Sequence, residues 1–245
     1  MDMIVPDGLV MIIILGNAVV FAATVLQAIA GFGFAMIAIP CLGLVEISLV
    51  PGASLANGLI ISVIMYFDER HEVDWREIRL LLPVVIVGTV LGAGLALVLP
   101  VHLAGAVFSG AILIGVAVTL FTPPVVLNGW TLGAGGLAAG IMGTVSGLHG
   151  PPLAIVYQHQ PPAKIRATIA AIFIFANILS VTALFAVNKL GLPTLAMALG
   201  FLPGLIAGLL LARRTRHLVS RRQARATVLV LASLSAIGLL NQSLT

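Results

Sequence analysis

From Leu80 to Leu99 the chain runs for twenty residues without a charged side chain. As a helix, a stretch of that length matches the hydrocarbon core of a bilayer. Seven more runs of similar character lie at roughly 9–30, 48–67, 103–122, 131–149, 167–187, 192–211 and 226–243. Only 8% of the residues are charged and 60% are hydrophobic, whereas a soluble domain carries about a quarter charged residues. So few charges do not coat a water-facing surface. The apolar runs therefore predict an all-α integral membrane protein, since a transmembrane barrel shows short stretches of alternating polarity instead.

Two shorter apolar pieces, 32–46 and 150–161, each follow a glycine cluster. The first cluster sits in Gln27–Pro40, QAIAGFGFAMIAIP, and the second in Gly143–Val156, GTVSGLHGPPLAIV. Gly31 and Gly147 hold corresponding places in these strings, 116 residues apart (147 − 31). Further matches hold an offset of 120: Ala56–Asn57 with Ala176–Asn177, Pro83 with Pro203, and Gly88 with Gly208. An internal repeat of this kind is the weak symmetry that transporters show. It divides the chain into a first repeat over 1–122, a linker over 123–130 and a second repeat over 131–245. Each repeat has about five helical segments, with a short or re-entrant helix after the glycine motif. Five is odd, so the second repeat is expected to be inverted relative to the first, the two together making one membrane domain.

Charge supports this orientation. Placing loop 68–79 in the cytoplasm puts 122–130, which contains Pro123–Pro124, on the same side, with 158–166 and 212–225. These loops then hold eleven of the twelve Lys and Arg residues, leaving Lys189 outside, a strong positive-inside bias. Trp75 and Trp130 fall at the inner interface and both termini outside. The N-terminus has Asp2 and Asp7 but no basic residue before the first apolar run. That is unlike a cleaved signal peptide, so the run is expected to stay in the mature protein. Basic residues confined to loops, with no aromatic platform, do not suggest nucleic acid. The single cysteine, Cys41, permits neither an internal disulfide nor a multi-cysteine metal site and reads as packing. No HExxH string and no intramembrane carboxylate cluster is present, so no metal or other cofactor is expected.

A backbone N–H or C=O exposed to lipid costs several kcal/mol, so broken helices are kept against protein or a wet cavity. A helix that starts after Gly31–Gly33 directs its first unpaired N–H groups, and the positive end of its dipole, back toward the break. Gly150–Pro151 opens a second such helix, with proline acceptable in a first turn. Two such ends facing one cavity predict a site for a small anion. The apolar spans hold no Lys or Arg, so neutral donors must complete it. The substrate-binding set is Gln27, Gly31, Phe32, Gly33, Phe34, Asn57, Gly147, His149, Gly150, Pro151 and Asn177, with Thr144, Ser146 and Tyr157 behind it. Asn57 and Asn177 read equally well as hydrogen bonds between helices, and Phe32 and Phe34 as packing. Gly136, Gly140, Gly143 and Gly147 have the spacing of close helix packing. His149 is the residue suited to change charge near neutral pH and is the proton-coupling candidate.

GFGFAMIAIP, GTVSGLHGPP and the two similar halves joined by a central loop resemble the TauE/SafE sulfite-exporter family, also called the 4-toluene sulfonate uptake permease family. The family motif maps onto Gly31, Phe32, Gly33 and Pro40, and onto Gly147, Gly150 and Pro151. Where many members have a further glycine this chain has Phe34, and His149 stands inside the second motif. The resemblance implies a multi-pass transporter of the bacterial inner membrane. Its substrate would be a sulfur-containing anion such as sulfite, sulfoacetate or another organosulfonate, and its partners a proton or other coupling ion and the lipid bilayer. A homo-oligomer stays open, as do the direction of transport and the anion itself. Two other readings fit parts of the sequence. An anion channel would use the same helix ends. An intramembrane serine hydrolase would use Ser146 in Gly143-Thr-Val-Ser-Gly147 with His149 or His159, although a triad is judged by geometry.

Overall fold

The computed structural model describes residues 7–122 and 125–244; Asp2 and the Pro123–Pro124 pair lie outside them. The described residues form eleven α-helices: α1 (Asp7–Ala30), α2 (Phe34–Val45), α3 (Gly52–Glu69), α4 (Trp75–Val98), α5 (Ala104–Phe121), α6 (Gly129–Ser146), α7 (Gly150–Val156), α8 (Pro162–Ala186), α9 (Leu192–Gly200), α10 (Leu202–Thr215) and α11 (Arg221–Leu244). Five are long and apolar enough to cross a membrane, or six when α9 and α10 count as one bent span. This corrects the eight runs read from sequence. At 18 residues each, α3 and α6 have the length. However, α6 is rich in glycine, and α3 mixes Asn57, Ser62 and Asp68 into its apolar residues. Ile14, Val90, Leu95 and Ile237 are exposed on outward faces, as a lipid-facing surface requires.

The two short helices do not span. The 12 residues of α2 rise about 18 Å and the 7 of α7 about 10 Å, against a hydrocarbon core of about 30 Å. The piece read as 150–161 is helical only to Val156, and the run 131–149 ends as a helix at Ser146.

The run 192–211 is not one helix. It bends by 45° between α9 and α10, where Gly200 precedes Phe201 and Pro203 leaves the ladder one donor short. Its counterpart Pro83 lies inside α4, which continues through it. Asn17 of α1 satisfies the groups freed at the bend. Its Nδ2 donates to the Gly200 carbonyl at 2.9 Å, and its Oδ1 accepts the Gly204 N–H at 2.7 Å.

The helix boundaries at the two breaks share one offset. Helices α1 and α6 end at Ala30 and Ser146, and α2 and α7 begin at Phe34 and Gly150, each pair at the offset of 116 (146 − 30 and 150 − 34). Packing is crosswise between the halves. A Cβ on Gly88 of α4 would lie 2.5 Å from the Leu137 carbonyl and 3.0 Å from Gly140 Cα, both in α6. A Cβ on Gly208 of α10 would lie 2.7 Å from the Phe21 carbonyl and 2.9 Å from Thr24, both in α1. Each contact joins helices from different halves.

Ion pairs tie together one end of the bundle. Lys164 reaches Asp74 at 2.9 Å and Glu77 at 2.7 Å, Arg166 reaches Glu69 at 2.6 Å, and Arg213 reaches Asp68 at 2.6 Å. Arg225 donates to the Thr119 carbonyl at 2.9 Å, and residues 125–127 share a surface cavity with His159 and Gln160. Loops 68–79, 122–130, 158–166 and 212–225 thus share one end. The Lys164 ammonium, followed by the backbone N–H of Glu77, outweighs partial burial and holds the Asp74 carboxyl below its ordinary value of 3.8. At the opposite end Lys189 donates to the Leu99 carbonyl at 3.2 Å.

Candidate functional site

Both chain breaks use the same local device. Helix α1 stops at Ala30, and Gly31 turns the chain at φ +89°; α6 stops at Ser146, and Gly147 turns it at φ +75°. This left-handed region admits glycine without a steric penalty. Each turning glycine donates its N–H back into the helix just finished, Gly31 to Gln27 at 2.7 Å and Gly147 to Gly143 at 2.8 Å. The turn is a helix C-cap followed at once by a new helix.

The breaks meet. A Cβ on Gly150 would lie 3.8 Å from Phe32 Cβ, 3.8 Å from the Phe173 ring and 4.0 Å from Gly33 N. From this point α2 runs toward Glu46, which shares a cavity with His102 and Ser243. In the opposite sense α7 runs toward the ion-paired end, where Val156 lies beside His159 and Gln160. Between the helix tips is a cavity of about 20 Å³, on the scale of one or two waters.

Eight of the eleven expected residues line it: Gln27, Gly33, Phe34, Gly147, His149, Gly150, Pro151 and Asn177. The other three stand apart from it. Gly31 faces the side chains of Ile165 and Arg166, and Phe32 is buried behind the tip. Asn57 bridges helices: its Nδ2 donates to the Ala53 carbonyl at 3.0 Å and to the Ala198 carbonyl of α9 at 3.2 Å. Ser54 was not foreseen. It is buried, lines the cavity, and its Oγ has no hydrogen-bond partner. The available signal was its (i, i+4) pairing with Gly58, which puts both on one face of α3.

Among the described residues no Lys, Arg, Asp or Glu side chain lines the cavity. Polarity comes from Gln27, Ser54, His149, Asn177 and the helix tips, and the two tips are unequal. At α2 the Phe34 N–H donates to Gln27 Oε1 at 3.0 Å, while Ala35 and Met36, whose first-turn N–H groups have no carbonyl partner within the helix, border the cavity. At α7 both Pro151 and Pro152 lack an N–H, so this tip offers few backbone donors. It offers His149 instead.

His149 is buried, and its ring lies over the bare Cα of Gly143, so close that any Cβ there would meet Cδ2 and Nε2. Gly143 therefore makes room for the imidazole, whereas Gly136 and Gly140 serve helix packing against Leu81, Val85 and Gly88. His149 Nε2 stands 3.2 Å from Ser180 Oγ, which stands 2.9 Å from Thr144 Oγ1. The serine-hydrolase geometry is not met. Ser146 donates to the Met142 carbonyl at 2.8 Å, and His159 is on an exposed loop. Ser180 is fully buried and outside the cavity lining. Among the described residues no group of three or more His, Cys, Asp or Glu side chains is placed to hold a metal.

In comparison with known proteins, the family model described as Sulfite exporter TauE/SafE matches residues 17–239. No curated protein and no solved structure matches the chain.

Proposed function

The chain belongs to the sulfite exporter TauE/SafE family, and from that premise we propose that it is a secondary transporter of a small sulfur-containing anion, sulfite or an organosulfonate. The anion binds where the two breaks meet, in a cavity that widens to admit it, since at about 20 Å³ it holds one or two waters. The observation that carries this is a small cavity with the polar side chains of Gln27, Ser54, His149 and Asn177 in a largely apolar lining, bordered by the first turn of α2 and lined by no Lys, Arg, Asp or Glu. Neutral donors and a helix N-terminus hold an anion without trapping it, as a lysine or arginine would.

Transport proceeds by alternating access of two inverted halves. Supporting this are the matched helix boundaries, the crosswise glycine contacts, and the opposite senses of α2 and α7. The ion-paired end is cytoplasmic by the positive-inside rule, in the inner membrane of a bacterium. The narrowness of the cavity, on the scale of one or two waters, favours a carrier that must rearrange over an open channel. His149, the ionisable group of the cavity, couples the anion to protons.

Proteoliposomes test the proposal. Sulfite or sulfoacetate flux should saturate with concentration and respond to an imposed pH gradient, and His149→Ala should flatten the pH response. No flux of either anion under any gradient removes the transport assignment. Non-saturating flux makes the protein a channel.

A further inference from the structure

His149, Ser180 and Thr144 form a buried hydrogen-bonded row. His149 Nε2 is 3.2 Å from Ser180 Oγ, Ser180 Oγ is 2.9 Å from Thr144 Oγ1, and Thr144 Oγ1 is 2.9 Å from the Gly140 carbonyl oxygen. The three residues are at most 3% exposed. The backbone carbonyl of Ala176 also faces the imidazole.

The two hydroxyls of this row have two complete arrangements, one that donates toward Nε2 and one that accepts from it. With a neutral ring protonated on Nδ1, the Ser180 hydroxyl donates to Nε2 and the Thr144 hydroxyl donates to Ser180 Oγ. With a charged ring, Nε2–H donates to Ser180 Oγ, the Ser180 hydroxyl turns to Thr144 Oγ1, and Thr144 donates to the Gly140 carbonyl. No heavy atom moves, and no polar hydrogen of the row loses its acceptor in either state. A histidine facing only a carbonyl or only a fixed donor is satisfied in one state alone.

The charged state lacks one thing, a counter-ion. Side chains facing His149 across the cavity or packed beside it are Gln27 from α1, Ser54 from α3, Thr144 from α6, and Phe173, Asn177 and Ser180 from α8, none of them ionisable. Burying an unpaired cation is costly, so the missing negative charge must come from the cavity's occupant.

We propose that Ser180 and Thr144 are positioning residues that let His149 take up one proton together with each anion. This rests on the transport assignment above. The proton enters from the aqueous phase with the anion, resides on Nε2 while the anion is bound, and leaves with it. Anion affinity and proton affinity rise together, as linkage requires. A monoanionic sulfonate then crosses as a neutral pair, and its flux is insensitive to membrane potential.

The test is nitrogen-15 NMR of labelled histidine in the purified protein in nanodiscs, with His149→Gln identifying the His149 signals. Without substrate, the neutral wild-type ring should be a single tautomer protonated on Nδ1. Adding sulfite at constant pH should protonate both nitrogens. In Ser180→Ala the neutral ring should divide between tautomers, and sulfite-linked protonation should require a pH lower by about 1–2 units. Ser180→Thr, which keeps the hydroxyl, should restore the wild-type pattern. A wild-type ring protonated on Nε2, or a Ser180→Ala spectrum and sulfite response identical to wild type, overturns the proposal. The tautomer readout needs no transport, so it judges the relay even if liposome flux fails.

Discussion

The two chain breaks have one backbone and two chemistries. Both stop a helix with a left-handed glycine, Gly31 or Gly147, and start another three residues later. At the repeat offset of 116, Gln27 corresponds to Gly143, and Gly33 to His149. In the first half Gln27 reaches forward seven residues to the Phe34 N–H. In the second half the same place is a glycine, and its empty volume receives the His149 ring. The first break thus presents a helix tip completed by a neutral amide. The second trades backbone donors, lost at Pro151 and Pro152, for one ionisable ring. The shared backbone and the differing side chains fit the proposed division of labour: anion binding on one side, proton handling on the other.

Four experiments break or sharpen this comparison. The largest effect is expected from Gly143→Ala, whose methyl group occupies the imidazole's place. Displacing His149 should lower flux about 100-fold, the order expected when a working group is moved by about an ångström. Near-normal flux with intact pH dependence would show that the second break does not need its ring in place. Gln27→Ala at the corresponding position should act differently. Removing the cap and a cavity amide should raise KM about 10-fold, as the loss of a hydrogen bond worth about 1.4 kcal/mol would. The pH profile should keep its shape. If Gln27→Ala shifted that profile as strongly as a change at His149, the division of labour would fail.

A smaller contrast separates the paired asparagines. Asn177→Ala should weaken transport several-fold, because Asn177 lines the cavity. Asn57→Ala should leave KM alone and lower the unfolding midpoint slightly. Its bond to Ala198 is of a kind worth about 0.6 kcal/mol inside a membrane protein. Equal effects on KM would place both asparagines at the substrate. The smallest effect concerns the ion-paired end. Asp74's folded pKa lies below its ordinary 3.8, so its contribution to stability is present at neutral pH and lost as pH falls through the folded value. Thermal unfolding from pH 7 to pH 3 should show a shallower acid loss in Asp74→Asn than in wild type. An unchanged acid limb would show that Asp74 adds nothing to holding the loops together.

Much of the architecture was legible because it is written locally. Glycine clusters and apolar runs mark where helices stop and start, and the offset between Gly31 and Gly147 carries over to the ends of α1 and α6 and the starts of α2 and α7. Seven of the expected residues that line the cavity were legible for the same reason, since they sit on or near the breaks; the eighth, Asn177, was legible from the repeat. What local pattern does not encode is pairing across the fold. Asn17 meets Gly200 and Gly204 from more than 180 positions away, so the bend in 192–211 looked like an unbroken span. Ser180 meets Thr144 across 36 positions, and nothing in the sequence around Ser180 announces a partner for His149. Asn57 and Asn177 look alike in the repeat, yet only the folded chain separates the bridge between helices from the cavity wall.

The most direct measurement is a structure of the protein with selenite, an isostere of sulfite whose selenium is located by anomalous scattering. The account predicts one selenium peak between the first turn of α2 and the His149 ring, with selenite oxygens within hydrogen-bond distance of the Ala35 or Met36 N–H. A peak confined to the arginines of the ion-paired end, or an empty cavity at selenite concentrations that block sulfite flux, would contradict it.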